Sequence, residues 1–392
     1  MMELVRKNIL NITPYIAGKP IEELKRQLGL KEVIKLASNE NPLGPSPMAV
    51  EAIKKNLSKV NRYPDSQGYC LKNKIARYLN INPSTSFGVN GEFRRTIKPA
   101  NVVLGNGSDE LIDIIIKTFV EDDENIITAD ITFLEYEIIS KVNCRRITTV
   151  PLRYFKYDLE AIKKKIDKNT KLIFISNPNN PTGTYVTKLE FEDFMRDLPD
   201  NVLVVLDEAY DTFIDIDDFP GGLNYISGST ALTTDHQVSR MASNKNVIVL
   251  KTFSKAYGLA GLRIGYAIAD AELVSYMEKV RQPFNVNMLA QAAASAALDD
   301  KNFLRKTRKT ILAGKDYLYD ALAQLGIAYV PTVANFILID AGRDGISVFK
   351  DMLKYGVIVR DMDQYGLKNF IRVTIGTKKE NERFIKVLKR VL

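Results

Sequence analysis

Short runs of β-branched and other apolar residues alternate with helix-like apolar patterns from Val102 to about Ile268. Such alternation predicts strands separated by helices, which is typical of a mostly parallel sheet covered by helices. We therefore expect an α/β domain with a sheet of seven strands. The predicted strands are residues 102–104, 126–128, 147–150, 172–175, 202–206, 247–250 and 264–268.

The two ends of the chain follow other patterns. After Ala271 we predict a long helical segment to about Leu325 and then a smaller α+β terminal domain, with strands at 336–339, 357–359 and 370–374, a short helix after the first strand, and a last helix from Lys379. The N-terminal segment is rich in proline, so we expect an arm of extended or turning backbone until a helix at 48–57. The predicted domains are an arm with part of the small domain (1–45), a large domain (46–285) and a small domain (286–392).

Composition and charge narrow the class of protein. The 392 residues are 45% apolar and 26% charged, the balance of a folded globular chain. The net charge of +8 is scattered, so it suits small anionic substrates and does not favour nucleic acid. Cys70, Cys144 and a single histidine, His236, leave no basis for a disulfide framework or a His/Cys metal site. No signal peptide or membrane span is predicted, which favours the cytoplasm.

Two long loops, near residues 84–100 and 215–246, are interpreted as insertions. Arg94 and Arg95 in the first loop could reach an anionic ligand, but a solvated loop is the favoured interpretation of both residues.

Lys255 lies in a segment rich in hydroxyls and glycine that follows an apolar strand. Partial burial beside a second cation, Arg263, would destabilise the ammonium ion and favour the neutral amine that forms an imine with an aldehyde. Ser254 and Arg263 would then hold a phosphate. A surface lysine after a strand is the simpler alternative, so the neighbouring motifs decide between the two.

A glycine-rich turn at residues 105–110 joins a predicted strand to an apolar-periodic helix. Its backbone N–H groups and the helix N-terminus around Gly107, Ser108 and Asp109 predict an anion cradle. Dinucleotide binding is not favoured, because Glu110 stands where a third glycine is required. The simpler alternative is N-capping by Ser108 or Asp109.

Polar groups also end two neighbouring predicted strands, at the sheet edge where ligands of α/β proteins bind. Asp207 can keep a pyridine nitrogen protonated, and Tyr210 and Asn180 can donate to the phenolic oxygen of such a ring. Without a ligand, Asp207 would serve as an N-cap or ion-pair residue, and the prolines around Asn180 would only form a turn.

Eight motifs in this order cover nearly the whole chain: 37–45 (ASNENPLGP), 62–65 (RYPD), 105–110 (GNGSDE), 180–183 (NPTG), 252–263 (TFSKAYGLAGLR), 284–287 (FNVN), 357–361 (VIVRD) and 371–376 (IRVTIG). The set resembles fold-type I aminotransferases that depend on pyridoxal 5'-phosphate (PLP), and within them the histidinol-phosphate aminotransferase family. The sequence departs from the family at Ile131, where proline is usual.

The resemblance implies catalytic roles for Lys255, which carries PLP as a Schiff base, and for Asp207 and Tyr210. It implies a homodimer with shared active sites, in which Tyr63 of one subunit reaches the PLP phosphate of the other, while Phe133 stacks on the pyridine ring unless it is a core residue. The remaining implied cofactor contacts are Gly107, Ser108, Asp109, Asn180, Thr252, Ser254 and Arg263.

The resemblance further implies that Arg360 and Arg372 clamp the anionic substrate and that Tyr15 helps to hold its phosphate. Guanidinium groups bind phosphate and carboxylate alike, so one pocket can accept histidinol phosphate and glutamate in turn, with 2-oxoglutarate closing a ping-pong cycle of histidine biosynthesis. Three alternatives stay open: an aminotransferase for aromatic amino acids or another phosphorylated amine, a threonine-phosphate decarboxylase, and a PLP-binding regulatory module without turnover.

Overall fold

The computed structural model describes residues 4–16, 18–81, 96–226 and 246–392. Arg94, Arg95 and His236 lie outside the described residues. The strands are β1 (Ile34–Lys35), β2 (Val102–Gly105), β3 (Asn125–Ala129), β4 (Arg146–Val150), β5 (Thr170–Ser176), β6 (Leu203–Asp207), β7 (Val247–Thr252), β8 (Gly265–Ile268), β9 (Tyr329–Val330), β10 (Phe336–Asp340), β11 (Val357–Ile358), β12 (Arg360–Asp361) and β13 (Phe370–Thr374).

Helices separate most of these strands. They are α1 (Ile21–Leu28), α2 (Pro47–Asn56), α3 (Tyr69–Ile81), α4 (Ser108–Phe119), α5 (Glu135–Val142), α6 (Leu159–Lys163), α7 (Lys188–Arg196), α8 (Ala271–Val280), α9 (Met288–Ala297), α10 (Lys301–Gln324), α11 (Gly345–Lys354) and α12 (Lys378–Val391).

The large domain is built on a seven-stranded sheet in the order β2-β8-β7-β6-β5-β3-β4. β8 pairs antiparallel with β2 and β7, and all other pairs in this sheet are parallel, so the predicted mostly parallel α/β sheet is confirmed. Successive strand residues face opposite sides and both sides are buried, which explains why the strands read as continuous apolar runs. Val204 and Val249 belong to the core on one face, whereas Val205 and Ile248 belong to the core on the other.

The small domain holds an antiparallel sheet in the order β12-β13-β10-β9. Its core joins this sheet to α10, α11 and α12 through residues such as Ile311, Phe336 and Phe384. The N-terminal arm is tied to this domain, because β1 pairs in parallel with β11. The small domain therefore contains residues from both ends of the chain.

The arm contains a helix where extended or turning backbone is predicted, so that prediction is wrong over Ile21–Leu28. Pro20 stands at the N-cap, a position that leaves every helical N–H intact, and Gly29 ends the helix with φ 65°. Leu24 is buried against Ile358 and Leu353. The proline thus marks the start of a helix and does not interrupt one.

The predicted long helical segment after Ala271 is three helices, so that prediction is wrong in its continuity. Phe284 has φ 59°, which no α-helix accommodates, and it follows Pro283. Asn287 and Asp300 then cap α9 and α10 by accepting hydrogen bonds from backbone N–H groups. The predicted strand at 357–359 is observed as β11, and a further short strand, β12, follows it and joins a different sheet.

The packing of α9 and α10 bears on where the large domain ends. Ala290, Ala293 and Ala294 of α9 lie in the core of the large domain, whereas Ile311 of α10 lies in the core of the small domain. Leu304 contacts both cores. We therefore propose that the chain passes from one domain to the other within α10.

No helix of the described ranges is long and apolar enough to cross a membrane. Within the same ranges, no three His, Cys, Asp or Glu side chains come together as a metal ion would require.

Candidate active site

A cavity of about 250 Å³ lies at the carboxyl ends of β5, β6 and β7, between the sheet and the small domain. Parallel strands bring their carboxyl ends to one edge, which is why motifs far apart in sequence meet here. The predicted site residues that line it are Tyr15, Ser108, Asp109, Phe133, Asn180, Asp207, Tyr210, Thr252, Ser254, Lys255, Arg263 and Arg372. Ser38, Asn39, Glu40 and Ser176 line it as well.

Lys255 follows β7 and points into this cavity, where its Nζ donates to the backbone carbonyl of Ser38 at 3.1 Å. Burial and the nearby cation of Arg372 lower the pKa of Lys255 to about 8. The prediction that Arg263 is the destabilising cation is wrong, because Arg372 has that effect; the Arg263 guanidinium pairs with Asp109 at 2.9 Å. Near neutral pH the Lys255 amine is therefore divided between its charged and neutral forms.

Asp207 ends β6 and is buried at the floor of the cavity. One carboxylate oxygen accepts from the Tyr136 hydroxyl at 2.8 Å, and the other accepts from the Ala209 N–H at 3.1 Å. Burial raises the pKa of Asp207 to about 6, and these two hydrogen bonds oppose the rise. These two hydrogen bonds fix the orientation of the carboxylate, which can bind a cation from the cavity.

Tyr136 was missed by sequence reasoning. It is fully buried in α5, stacks on Phe174 with ring centroids 4.6 Å apart, and meets the edge of Phe133 at 5.6 Å. Its sequence context is an ordinary amphipathic helix, which carries no signal that the hydroxyl meets Asp207. It links the carboxylate at the cavity floor to the aromatic ring on the cavity wall.

The turn from β2 into α4 has the geometry of an anion site. Gly107 has φ 84°, and a side chain there would collide with the Arg263 guanidinium, so only glycine fits. The alternative of N-capping by Ser108 or Asp109 is not observed: Gly107 is the N-cap, and the helix start has no side-chain cap. The N–H groups at the start of α4 therefore remain available to a ligand.

The hydroxyls of Thr252 and Ser254 face the same part of the cavity. Thr252 Oγ1 donates to Ser254 Oγ at 3.0 Å and accepts from the Ser254 N–H at 3.1 Å. The Ser254 hydroxyl proton is then directed away from Thr252. Together with Arg263 and the start of α4, these groups form a cluster of donors suited to a phosphate.

Arg372 reaches the cavity from β13 of the small domain. Its Nη1 donates to Asn180 Oδ1 in a very short contact, and its Nη2 donates to the Ala37 carbonyl at 2.9 Å. Its buried Nε–H has no hydrogen-bond partner among the described residues. Because Asn180 accepts from Arg372, its amide nitrogen is left to donate to a ligand.

Three predicted site residues do not line the cavity. Gly107 lies next to the guanidinium of Arg263, which itself lines the cavity. Arg360 pairs in register with Arg372 on the neighbouring strand, donates to the Ile16 carbonyl, and lies 5.1 Å from the centroid of the Tyr15 ring. Tyr63 is 81% exposed in the single chain and stacks on Phe284 at 4.7 Å.

The fold and the site together define an aminotransferase. A family model described as aminotransferase class I and II matches residues 31–388. The fold is similar to that of histidinol-phosphate aminotransferase from Sinorhizobium meliloti in complex with pyridoxal-5'-phosphate, with a TM-score of 0.83, 27% identity, and coverage of 99% of this chain and 97% of that chain. Aspartate aminotransferase from Thermus thermophilus shares the fold at 19% identity and a TM-score of 0.78, each chain being covered to 99%.

Relatives in sequence identify the family within the aminotransferases. Histidinol-phosphate aminotransferase of Moorella thermoacetica is 45% identical over 99% of this chain and 92% of its own length. That of Anaeromyxobacter sp. is 42% identical over 100% of both chains. The chain belongs to the histidinol-phosphate aminotransferase family of class I and II aminotransferases, which confirms the predicted family, fold type and enzyme class.

The observed donors fit PLP, the cofactor of this family. The phosphate matches the open N–H groups of α4 and the cation of Arg263, and the pyridine nitrogen matches the buried carboxylate of Asp207. The aldehyde matches the amine of Lys255, whose lowered pKa favours the neutral form.

Proposed function

We propose that this chain is a histidinol-phosphate:2-oxoglutarate aminotransferase with PLP as cofactor, in which histidinol phosphate donates the amino group in one direction and glutamate donates it in the other. The observation that carries the substrate proposal is the position of Arg372. Its guanidinium lies in the cavity of Lys255 and keeps a buried Nε–H without a partner among the described residues. A fork of this kind binds phosphate and carboxylate groups alike, as both donors require.

Bound PLP supplies an electron sink that makes the C–H bond beside the amino group acidic. Lys255 would hold the aldehyde end of the cofactor, and its amine would be placed to move a proton between the substrate carbon and C4' of the cofactor. A pKa of about 8 suits this task, because such an amine both takes up and releases a proton near neutral pH.

The other residues orient the ring and strengthen the sink. Asp207 keeps the pyridine nitrogen protonated, with its carboxylate held in place by Tyr136. Phe133 would pack on one face of the ring, while Tyr210 and Asn180 would donate to its phenolic oxygen. Ser108, Thr252, Ser254 and Arg263 would bind the phosphate end.

Tyr15 lines the cavity with Arg360 next to its ring, and together they would hold the phosphate of the donor. Arg360 contacts the arm on both sides of Tyr15, through the Ile16 carbonyl and through Gln364, whose Nε2 donates to the Pro14 carbonyl at 3.2 Å. The arm therefore presents Tyr15 and Arg360 as one unit. This division of labour leaves Arg372 to serve both donors.

A homodimer completes the site in this proposal, with Tyr63 of each subunit reaching the PLP phosphate of the other. The support is a group of exposed apolar side chains: Tyr63 stacks on Phe284, and Leu57, Val60 and Tyr69, which are close to Tyr63 in sequence, are exposed as well. Patches of this kind mark protein interfaces. Sedimentation of the wild-type protein and of Tyr63→Ala tests the dimer and its link to cofactor affinity.

A panel of half-reactions tests the substrate directly. The PLP-loaded protein is mixed separately with histidinol phosphate, glutamate, phenylalanine, tyrosine and threonine phosphate, and the change in cofactor absorbance is followed. We expect histidinol phosphate and glutamate to react. Reaction with the aromatic amino acids alone would favour the aromatic aminotransferase, carbon dioxide from threonine phosphate would favour the decarboxylase, and reaction with none would favour the regulatory module.

A further inference from the structure

A chain of hydrogen bonds runs from the small domain through Asn39 to the hydroxyl of Tyr210. Thr374 Oγ1 on β13 donates to Asn39 Oδ1 at 3.2 Å, and Asn39 Nδ2 donates to the Tyr210 hydroxyl oxygen at 3.0 Å. Asn39 is only 1% exposed, and both of its partners are buried. The first motif of the chain, 37–45, therefore reaches the site through this side chain.

The hydrogen bonds from Thr374 through Asn39 to Tyr210 all donate in the same direction, toward the cavity. The backbone N–H of Asn39 donates to Thr374 Oγ1 at 2.9 Å, so the Thr374 proton is free to point at Asn39 Oδ1. With its oxygen occupied as an acceptor, the Asn39 amide must present its nitrogen, a donor only, to Tyr210. The Tyr210 oxygen is then used as an acceptor, and its own proton is directed into the cavity.

The local backbone holds Asn39 in this position. Asn39 has φ 55°, a left-handed conformation that asparagine, aspartate and glycine tolerate better than other residues. The carbonyl of Asn39 accepts from Asn335 Nδ2 at 3.1 Å, and the carbonyl of the preceding Ser38 accepts from Lys255 Nζ. One turn of the arm thus contacts both Tyr210 and Lys255.

We propose that Asn39 is a positioning residue that turns the Tyr210 proton toward the phenolic oxygen of the cofactor. The proposal rests on the proposed function, because that oxygen belongs to PLP. A donor to this oxygen stabilises its anionic form, so the orientation of one proton sets both cofactor affinity and the pH at which the bound cofactor changes colour.

Two substitutions separate the effect of the Tyr210 proton direction from the effect of side-chain shape at position 39. Asn39→Asp keeps the shape and tolerates the backbone, but offers Tyr210 an acceptor that draws its proton away from the cavity. Asn39→Gly keeps the backbone and removes the side chain, which leaves the Tyr210 proton free to turn either way. We expect the PLP dissociation constant to rise about tenfold in Asn39→Asp and less in Asn39→Gly, and the colour change to move to higher pH in the same order.

A merely structural role for Asn39 predicts the reverse order, because aspartate fills the space that glycine leaves empty. Glycine being the more harmful change, or both variants binding PLP like the wild type, would overturn the proposal. Asn381→Asp makes the same change at a buried asparagine outside the cavity and should leave PLP affinity unaltered.

Asn39→Asp also adds a negative charge, and the effect of that charge is tested in a Tyr210→Phe background, which lacks the hydroxyl proton that Asn39 orients. We expect Asn39→Asp to have little further effect there, since two residues acting through one group are not additive. A full tenfold loss in that background would show that charge alone weakens PLP, and the proposal would fail. Failure of wild-type protein to bind PLP at all would instead refute the proposed function.

Discussion

The cavity has two walls that are built in different ways. The wall from the large domain consists of residues at or shortly after the carboxyl ends of parallel strands, such as Asp207 at the end of β6 and Lys255 after β7. The wall from the small domain and the arm depends on contacts between distant parts of the chain, such as Arg372 donating to the Ala37 carbonyl. The first wall carries the groups that we assign to the cofactor, and the second carries the groups that we assign to the substrate.

The comparison teaches that the chemistry and the choice of substrate can vary separately in this fold. Strand ends hold their side chains through the ladder of the sheet, so the cofactor wall is rigid. The substrate wall includes the arm, which is held through single side chains such as Gln364. Damage to the first wall should therefore stop the reaction with every donor, whereas damage to the second should weaken substrate binding, for both donors at Arg372 and unequally for the two donors at Arg360.

The largest effect is expected from Lys255→Ala on the cofactor wall. Loss of the amine removes both covalent attachment of PLP and proton transfer, a step that alone contributes roughly 10²–10⁴-fold to rate. Single-turnover rates with each donor and dialysis of the cofactor measure the two losses. Wild-type turnover in this variant would remove Lys255 from the mechanism, and Lys354→Ala on the surface serves as the control.

Asp207→Asn should still bind PLP but react about 10²–10³-fold more slowly with both donors, as when a preorganised electrostatic group is lost. The amide cannot hold the proton on the pyridine nitrogen, so the electron sink weakens. Tyr136→Phe should cause a smaller loss, since the carboxylate stays and only its hydrogen bond is removed. Equal rates in Asp207→Asn and wild type would contradict the assigned role.

Two arginine variants test the substrate wall. Arg372→Lys keeps the charge but loses the fork, so both half-reactions should weaken by about 1.5–3 kcal/mol, the range for hydrogen bonds to charged groups. Arg360→Ala should weaken histidinol phosphate by a similar amount and glutamate less. Separate single-turnover titrations of each donor are needed, because steady-state constants mix the two halves of the cycle. Equal losses for both donors in Arg360→Ala would refute the division of labour.

The smallest expected effect is a pH dependence of cofactor attachment. The pKa of Lys255 is lowered to about 8 by burial and by Arg372, so its reactive neutral form accumulates as pH rises through 8. At pH 7 about a tenth of the amine is neutral and at pH 9 about nine tenths, so attachment of PLP to the apoprotein should become roughly tenfold faster. Stopped-flow absorbance measures the rate. A rate that keeps rising tenfold per pH unit up to pH 10 would show an unshifted lysine.

The pattern of apolar and polar residues along the chain was sufficient to predict the sheet and the residues at its carboxyl edge. Apolar runs encode strands wherever they occur, and parallel strands must bring their ends together, so the meeting of Asn180, Asp207 and Lys255 followed from local signals. The helix Ile21–Leu28 escaped prediction because prolines dominate its surroundings. The breaks after Val280 and Ala297 escaped because caps and a single left-handed residue are weak signals within an apolar-periodic segment.

Tertiary structure alone decided which side chains touch. That Tyr136 meets Asp207, that Arg372 and not Arg263 lowers the pKa of Lys255, and that Asn39 donates to Tyr210 each depend on contacts between different elements. Local sequence sets the conformation of a segment within a few residues. Distances and hydrogen-bond directions across the cavity are set by how the small domain and the arm pack on the sheet, and that packing sums many weak contacts over the whole chain.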